Sequence, residues 1–229
     1  MKFDEYSSDY DTALNKGLRV SGEDKNYFAK GRVDWLKKCL AQLNINPLQI
    51  MDYGCGTGTS VPFLLGLSET PSLVGLDDSI KSLEVAQNST GERSNERSKF
   101  FHLDEYKPKG DIDLAFCNGV FHHIPPNKRP QAVDFIFRSL KPRGVFSLWE
   151  NNPWNPGTRY VMSRIPFDRD AIPLSFLETK RLLKNHGFEI LRVDFLFIMP
   201  NILRIFRGIE PFLRRAPLGA QYQVLARKI

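Results

Sequence analysis

The stretch Gln49–Leu65, QIMDYGCGTGTSVPFLL, sets three glycines, Gly54, Gly56 and Gly58, into five residues between two apolar runs. Glycine loses more conformational freedom on folding than any other residue, so alternate glycines imply a bare backbone that a partner approaches closely. Three ligands suit such a turn: a phosphate, a dinucleotide, or an adenosyl group with no phosphate. A phosphate-cradling loop requires Gly-x-x-x-x-Gly-Lys-Ser/Thr, and no Lys follows these glycines. A dinucleotide fingerprint requires Gly-x-Gly-x-x-Gly. Gly54 and Gly56 fit it, but Thr59 holds the third position and Gly58 comes one residue early. Asp77 ends the next apolar run about twenty residues on, where a carboxylate can accept both hydroxyls of a ribose. The adenosyl ligand fits best.

Outward from this turn, strands alternate with helices. Trp35, Leu36, Cys39, Leu40 and Leu43 recur at helical spacing before Asn46-Pro47. LQIMDY reads as a buried strand, and Thr57 onward as the start of a helix. SLVGLD, the run into FFHL and DIDLAFCN read as three more strands. A helix over 128–141 turns at Pro142-Arg143-Gly144 into the strand VFSLWE. Ser175 and Glu178 form a capping box for a helix that stops at Gly187, and FEILRVDFLFIM and QYQVLARKI are the last strand-like runs. Such alternation argues a doubly wound α/β fold with a mostly parallel sheet and helices on both faces.

With 229 residues and 41% hydrophobic content, a single domain is expected. It divides into an N-terminal helical cap (1–46), a ligand-binding core (47–150) and a third region with the last strands (151–229). The start, MKFDEYSSDYD, has no apolar core of a secretory signal, and FLFIM is too short to span a bilayer. Cys39, Cys55 and Cys117 are odd in number and lack CxxC spacing. They are expected to be reduced thiols of a cytoplasmic protein, with neither a disulfide framework nor a metal site.

The motifs together resemble the class I S-adenosylmethionine-dependent methyltransferases over about Gln49 to Phe188. DYGCGTG resembles the family's first motif, which places Asp52, Gly54, Cys55, Gly56, Thr57 and Gly58 at the cofactor. LVGLDDS resembles the second, with Asp77 as the ribose acid. Asp78 departs from it, standing where the family commonly carries an apolar residue against adenine. FFHLDE falls where the third strand presents its adenine contact, which carries over Leu103 and Asp104. DIDLAFCNGVFHHI is similar to the fourth strand and its sequel, with Asn118 and Gly119 at the strand's carboxyl end. SLKPRGVFSLWE is similar to the helix, turn and fifth strand that follow. The resemblance implies a seven-stranded sheet with the last strand antiparallel, S-adenosyl-L-methionine as cofactor and methyl transfer as the activity. Arg32, on the helix before the first strand, is a candidate for the cofactor's methionine carboxylate.

Transfer to a hydroxyl also requires a base, whereas a carboxylate acceptor does not and an amine need only be neutral. His122 and His123 are candidates because imidazole titrates near neutral pH. Glu150, closing the fifth strand at the expected pocket rim, is a third. The Asn/Asp-Pro-Pro-aromatic motif of amine-modifying nucleic-acid enzymes is absent after strand four, where CNGVF stands. NNPW follows strand five, and Cys117 lacks the preceding Pro of the cytosine-carbon enzymes. A small-molecule acceptor is therefore expected. Nucleic-acid or protein methylation and a non-catalytic S-adenosylmethionine-binding role remain open, as does oligomeric state. Thr59 counts against a nicotinamide-dependent oxidoreductase.

Two regions are expected to shape the acceptor site. Residues 150–170 are too rich in Pro and Asn for a regular element. Residues 200–215 place Ile202, Ile205, Phe206 and Ile209 at helical spacing beside Arg204, Arg207, Arg214 and Arg215. The reading for this segment is a helix packed over the sheet with a basic edge. The alternative is peripheral contact with an anionic membrane or a lipid-linked substrate. From Lys180 onward there are ten Lys and Arg against three acids, so the net charge of +6 belongs to this part alone.

Overall fold

A computed structural model describes residues 17–18, 21–89 and 96–229. The acidic stretch 1–11 lies outside the described residues. The chain orders as α1 (Lys25–Gln42), β1 (Gln49–Tyr53), α2 (Val61–Leu64), β2 (Ser72–Asp77), α3 (Ile80–Ser89) and β3 (Ser98–His102). Next come β4 (Ile112–Asn118), α4 (Arg129–Ser139), β5 (Leu140–Asn151), α5 (Pro156–Arg164) and α6 (Phe176–Lys184). Last are β6 (Phe188–Leu196), a 3-10 helix (Asn201–Ile209), α7 (Glu210–Leu213) and β7 (Gln221–Lys228). The strands form one sheet in the order β3-β2-β1-β4-β5-β7-β6, with β7 antiparallel to both its neighbours. This is the doubly wound, seven-stranded arrangement read from the sequence.

Side chains on a strand alternate between faces, and here both faces are apolar, as a sheet covered on both sides requires. Met51, Ala115, Phe146 and Val224 enter the cluster beneath α4, with Val133 and Ile136. Their neighbours Ile50, Leu114, Val145 and Leu225 enter the cluster beneath α1, with Trp35, Leu36 and Cys39. The strand order reverses between β1 and β4, which pair through Asp52↔Phe116 and Tyr53↔Cys117. The crevice beyond the carboxyl ends at such a switch point is where open α/β sheets hold ligands.

Helix α1 is fastened to the far edge of the sheet by polar contacts. Trp35 Nε1 donates to the buried Asp194 carboxylate on β6 at 3.1 Å, and Arg192 pairs with the same carboxylate. The guanidinium groups of Arg192 and Arg214 lie over the Trp35 ring at 4.9 and 3.9 Å.

Three sequence readings change in detail. Thr57 does not open a helix: Gly54, Gly56 and Gly58 all have positive φ, and α2 begins only at Val61. The turn at 142–144 lies inside β5, which starts at Leu140 and irregularly skirts Arg143 at φ 64°. Residues 156–164 are helical, because the Asn155 side chain caps the Thr158 N–H at 2.9 Å and Pro156 starts the first turn. The capping box at Ser175 and Glu178 is present.

Asp194→Ala is expected to lower stability by about 2–4 kcal/mol, since it leaves the Trp35 N–H and the Arg192 guanidinium without their buried acceptor. Urea unfolding measures the loss. A midpoint equal to the wild type would show that α1 is held by apolar contact alone.

Candidate active site

A cavity of about 390 Å³ opens at the switch point, within the range of small-molecule sites. Its floor is the Gly-rich turn after β1 and the end of β4; its walls come from α1, α5 and the chain between β6 and β7. Arg32, Asp52, Gly54, Cys55, Gly56, Thr57, Asn118, Gly119, His122 and His123 all line it. Among the described residues, Gly58, Asp77, Asp78, Leu103, Asp104 and Glu150 do not.

The three glycines separate by what surrounds them. A Cβ on Gly54 would stand 2.3 Å from Val120 Cγ2, and one on Gly58 would meet Ala86 at 3.1 Å. A Cβ on Gly56 would meet nothing within 4 Å among the described residues. Gly54 and Gly58 let the turn pack against its own protein, and Gly56 alone leaves open space in the cavity. Asp77 fixes this turn from below: its carboxylate accepts from the Gly56 N–H at 2.8 Å and from the Ser79 N–H at 2.9 Å. Burial nevertheless raises its pKa.

Asp52 and Arg32 face the cavity together, both almost fully buried. Burial, with Asp77 close by, pushes the Asp52 carboxyl up to about 7 against the pull of Arg32. Arg32 donates from Nη1 to Gln221 Oε1 at 2.9 Å, and Gln221 in turn donates to Asn151 Oδ1. Among the described residues the buried Asn118 Oδ1 accepts no hydrogen bond, and Gly119 bends away at φ 68°. The Asp78 backbone carbonyl lies 3.2 Å from His102 Nε2, and the Asp104 carboxylate, 90% exposed, lies 3.7 Å from His102 Nδ1.

Opposite the turn sits a buried titratable cluster. Glu150 is fully buried and does not reach the rim where the sequence reading put it. One carboxylate oxygen accepts from the Phe121 N–H at 2.7 Å, and the other lies 2.6 Å from His122 Nδ1. His122 Nε2 is 3.7 Å from Asp168 Oδ1, and His123 Nε2 is 3.4 Å from the same oxygen. Burial disfavours charge on His122, but Glu150 and Asp168 outweigh it and lift the imidazole to about 10. Burial and the charged His122 beside it lower His123 to about 4, against the pull of Asp168. Its two acidic neighbours thus favour charge on His122, whereas burial and His122 disfavour it on His123, which stands on the cavity wall. The two imidazoles and Asp168 offer donor atoms within 4.8 Å of one another, a spacing that could also hold a cation. Asp168 escaped the sequence reading because it lies 46 residues from His122, in a segment without periodicity.

Residues 51–146 match the model of a methyltransferase domain family. The carboxy-S-adenosyl-L-methionine synthase of Nautilia profundicola is 27% identical over 84% of this chain and 88% of its own length. A trans-aconitate 2-methyltransferase of Escherichia coli is 24% identical over 88% and 83%. The crystal structure of magnesium protoporphyrin IX methyltransferase from Synechocystis, with bound SAH, shares the fold at a TM-score of 0.61. Its identity is 19%, over 93% of this chain and 86% of that one. The matched methyltransferase domain and the shared fold support a class I S-adenosylmethionine-dependent methyltransferase. Its cofactor is S-adenosylmethionine, and the cavity of this methyltransferase fits that molecule on its own features: the open cradle at Gly56 and the unsatisfied Asn118 oxygen.

Two predictions follow from these contacts. Gly54→Ala forces a Cβ into Val120 at a positive φ and is expected to cost about 1–3 kcal/mol of stability. Gly56→Ala is expected to cost about 1 kcal/mol, for its backbone alone, yet to weaken cofactor binding roughly tenfold or more. Calorimetry beside thermal melts reads both, and unchanged affinity in Gly56→Ala would remove the cradle. The second concerns pH. A raised His122 pKa adds stability that is complete below about 6.5 and is lost as pH climbs toward 10. A lowered His123 pKa adds stability present above about 6.5 and lost on acidification toward 4. The melting temperature is therefore expected to be highest between these limits. The alkaline slope should flatten in His122→Asn, and an identical slope there would show the imidazole to be neutral.

Proposed function

We propose that this methyltransferase alkylates an oxygen of a small-molecule acceptor, with His123 as the base. The reading is carried by one observation: His123, kept neutral, faces Asp168 at 3.4 Å on the wall of the cavity that contains the Gly56 cradle. A neutral imidazole has one N–H and one lone pair, so its ring can be oriented by the carboxylate while accepting a proton.

S-adenosylmethionine supplies an electrophilic methyl carbon on sulfonium sulfur. The chain's own residues do the rest. Asp77 holds the Gly56 backbone in place and can take the ribose hydroxyls; Asn118 and Arg32 offer the acceptor oxygen and the cation that a zwitterionic methionine end calls for. Held by these residues, the sulfonium would supply its methyl to the acceptor oxygen and keep the electron pair of the carbon–sulfur bond. The hydroxyl proton passes to His123. Positioning in line is the main source of rate, and the walls from α1 and α5 confine the acceptor for it. Glu150 touches neither partner: it is a positioning residue that sets His122 and, through Asp168, His123. Small relatives' substrates, such as trans-aconitate, support a small acceptor. Three buried thiols, Cys39, Cys55 and Cys117, support a reducing cytoplasmic setting.

Incubation with methyl-labelled cofactor and a cell extract, followed by identification of the labelled product, tests the reading. An O-methyl product is expected. His123→Gln should lower kcat by roughly 10²–10⁴-fold with cofactor affinity intact, the range that general-base catalysis contributes. The wild-type acid limb should lie near 4 rather than at the ordinary imidazole value. An N-methyl product, or full activity in His123→Gln, would refute the base assignment. Loss of activity on chelation, restored by zinc, would reassign the cluster to a metal.

A further inference from the structure

The segment between β6 and β7 is amphipathic in reverse. Three residues complete a turn of 3-10 helix, so side chains at i and i+3 stack roughly in rows, here bent by a kink at Leu203 (φ -105°, ψ 19°). Along Asn201–Ile209 and into α7, one row holds Asn201, Arg204, Arg207 and Glu210. The other two rows are apolar apart from Gly208. It is the polar row that ties the segment to the body. Asn201 Nδ2 donates to Gly22 O at 3.2 Å, and Arg207 pairs with Glu23 at 2.7 Å and lies over the Tyr27 ring. Glu210 accepts from the Met199 N–H at 2.8 Å. The apolar rows face outward. No residue of Asn201–Ile209 or of α7 is buried, and Ile202, Ile205 and Phe212 keep 89%, 80% and 86% of their surface exposed. The helix packed over the sheet that the spacing suggested is therefore turned over, because its polar row has partners on the body and its apolar rows have none among the described residues.

An apolar patch of this size marks a docking surface, and its charge selects the partner. Arg204 and Arg215 are exposed beside it. Of the three acids after Lys180, Asp194 is buried against Arg192, Glu210 is held by the Met199 N–H, and Glu189 lies at the other end of β6. A second copy docked here face to face would bring one basic rim against another. Apolar side chains rimmed by arginine are what the interface of an anionic bilayer accepts. The position adds a reason: Met199, Pro200 and Arg207 line the cavity, so docking would set its mouth against the headgroups.

We propose that residues 201–213 dock this protein on an anionic phospholipid bilayer and that the acceptor is an amphiphile whose polar end enters the cavity from the membrane. The acceptor part rests on the reading of the cavity given above; the docking part does not, and vesicle binding is measured without methyl transfer. Flotation with vesicles of phosphatidylcholine, alone or mixed with phosphatidylglycerol, tests the docking on the full chain. Binding is expected only or mainly to the anionic vesicles, declining as salt is raised. Joint replacement Ile202→Ser, Ile205→Ser and Phe212→Ser should leave the melting curve and cofactor affinity unchanged and reduce vesicle binding roughly tenfold or more. Arg204→Gln should reduce the preference for anionic vesicles. Equal partitioning of wild type and triple variant, or no vesicle binding at all, would overturn the proposal. So would a dimer in sedimentation experiments that the triple variant abolishes without any effect of lipid, which would assign the patch to a second copy.

Discussion

A buried carboxylate must be answered by donors, and Glu150 is answered in a way that organises the whole catalytic side of the cavity. Its two oxygens take the Phe121 N–H and the His122 imidazole, which fixes the chain leaving β4 against the end of β5. His122 in turn faces Asp168, drawing in the segment after α5. Arg129 completes the knot from α4, donating to the Phe121, Ile124 and Ile172 carbonyls. A charge that water cannot reach is costly unless paired, so these pieces stand or fall together. His123 inherits its place from this arrangement, being the next residue along a backbone already pinned.

The cofactor side works by the opposite principle, with backbone withdrawn where a ligand is to come. Positive φ at Gly54, Gly56 and Gly58 makes the turn tight, and Asp77 reaches across from β2 to hold it. Only at Gly56 is the missing side chain left as empty space. The glycines thus divide between closing the protein on itself and leaving it open.

Much of the fold was legible because it is local. Apolar runs of strand length, a helical repeat through Trp35 and Cys39, the Ser175–Glu178 capping box and the spacing from Gly54 to Asp77 all act within one or two elements. The cavity-lining residues after β1 and β4 followed from the same motifs. What stayed hidden depends on distance. Asp168 meets His122 only after α5 has formed, and α5 itself was obscured by prolines and asparagines that serve as its cap and first turn. Glu150 was placed correctly in the chain but on the wrong side of its own carboxylate, since burial cannot be read from a strand end. Asp78 and Asp104 were placed beside the cofactor by motif position; they stand next to His102, outside the cavity lining. The segment 201–213 shows the remaining limit: spacing reveals that a helix has an apolar face, and only the partners of its polar row reveal which way that face turns.

The antiparallel strand has a consequence for how the chain is made. β7, from Gln221 to Lys228, lies between β5 and β6 and supplies every backbone pairing that β6 has in the sheet. During synthesis β6 therefore emerges with no strand to join, and its apolar side chains wait beside an open edge of β5. β7, translated after both of its neighbours, must slot between them before either is covered. Long-range pairing of this kind is slow relative to local structure and leaves strand edges exposed meanwhile. A chain cut before Gln221 would keep its cofactor turn and five paired strands, with β6 left unpaired.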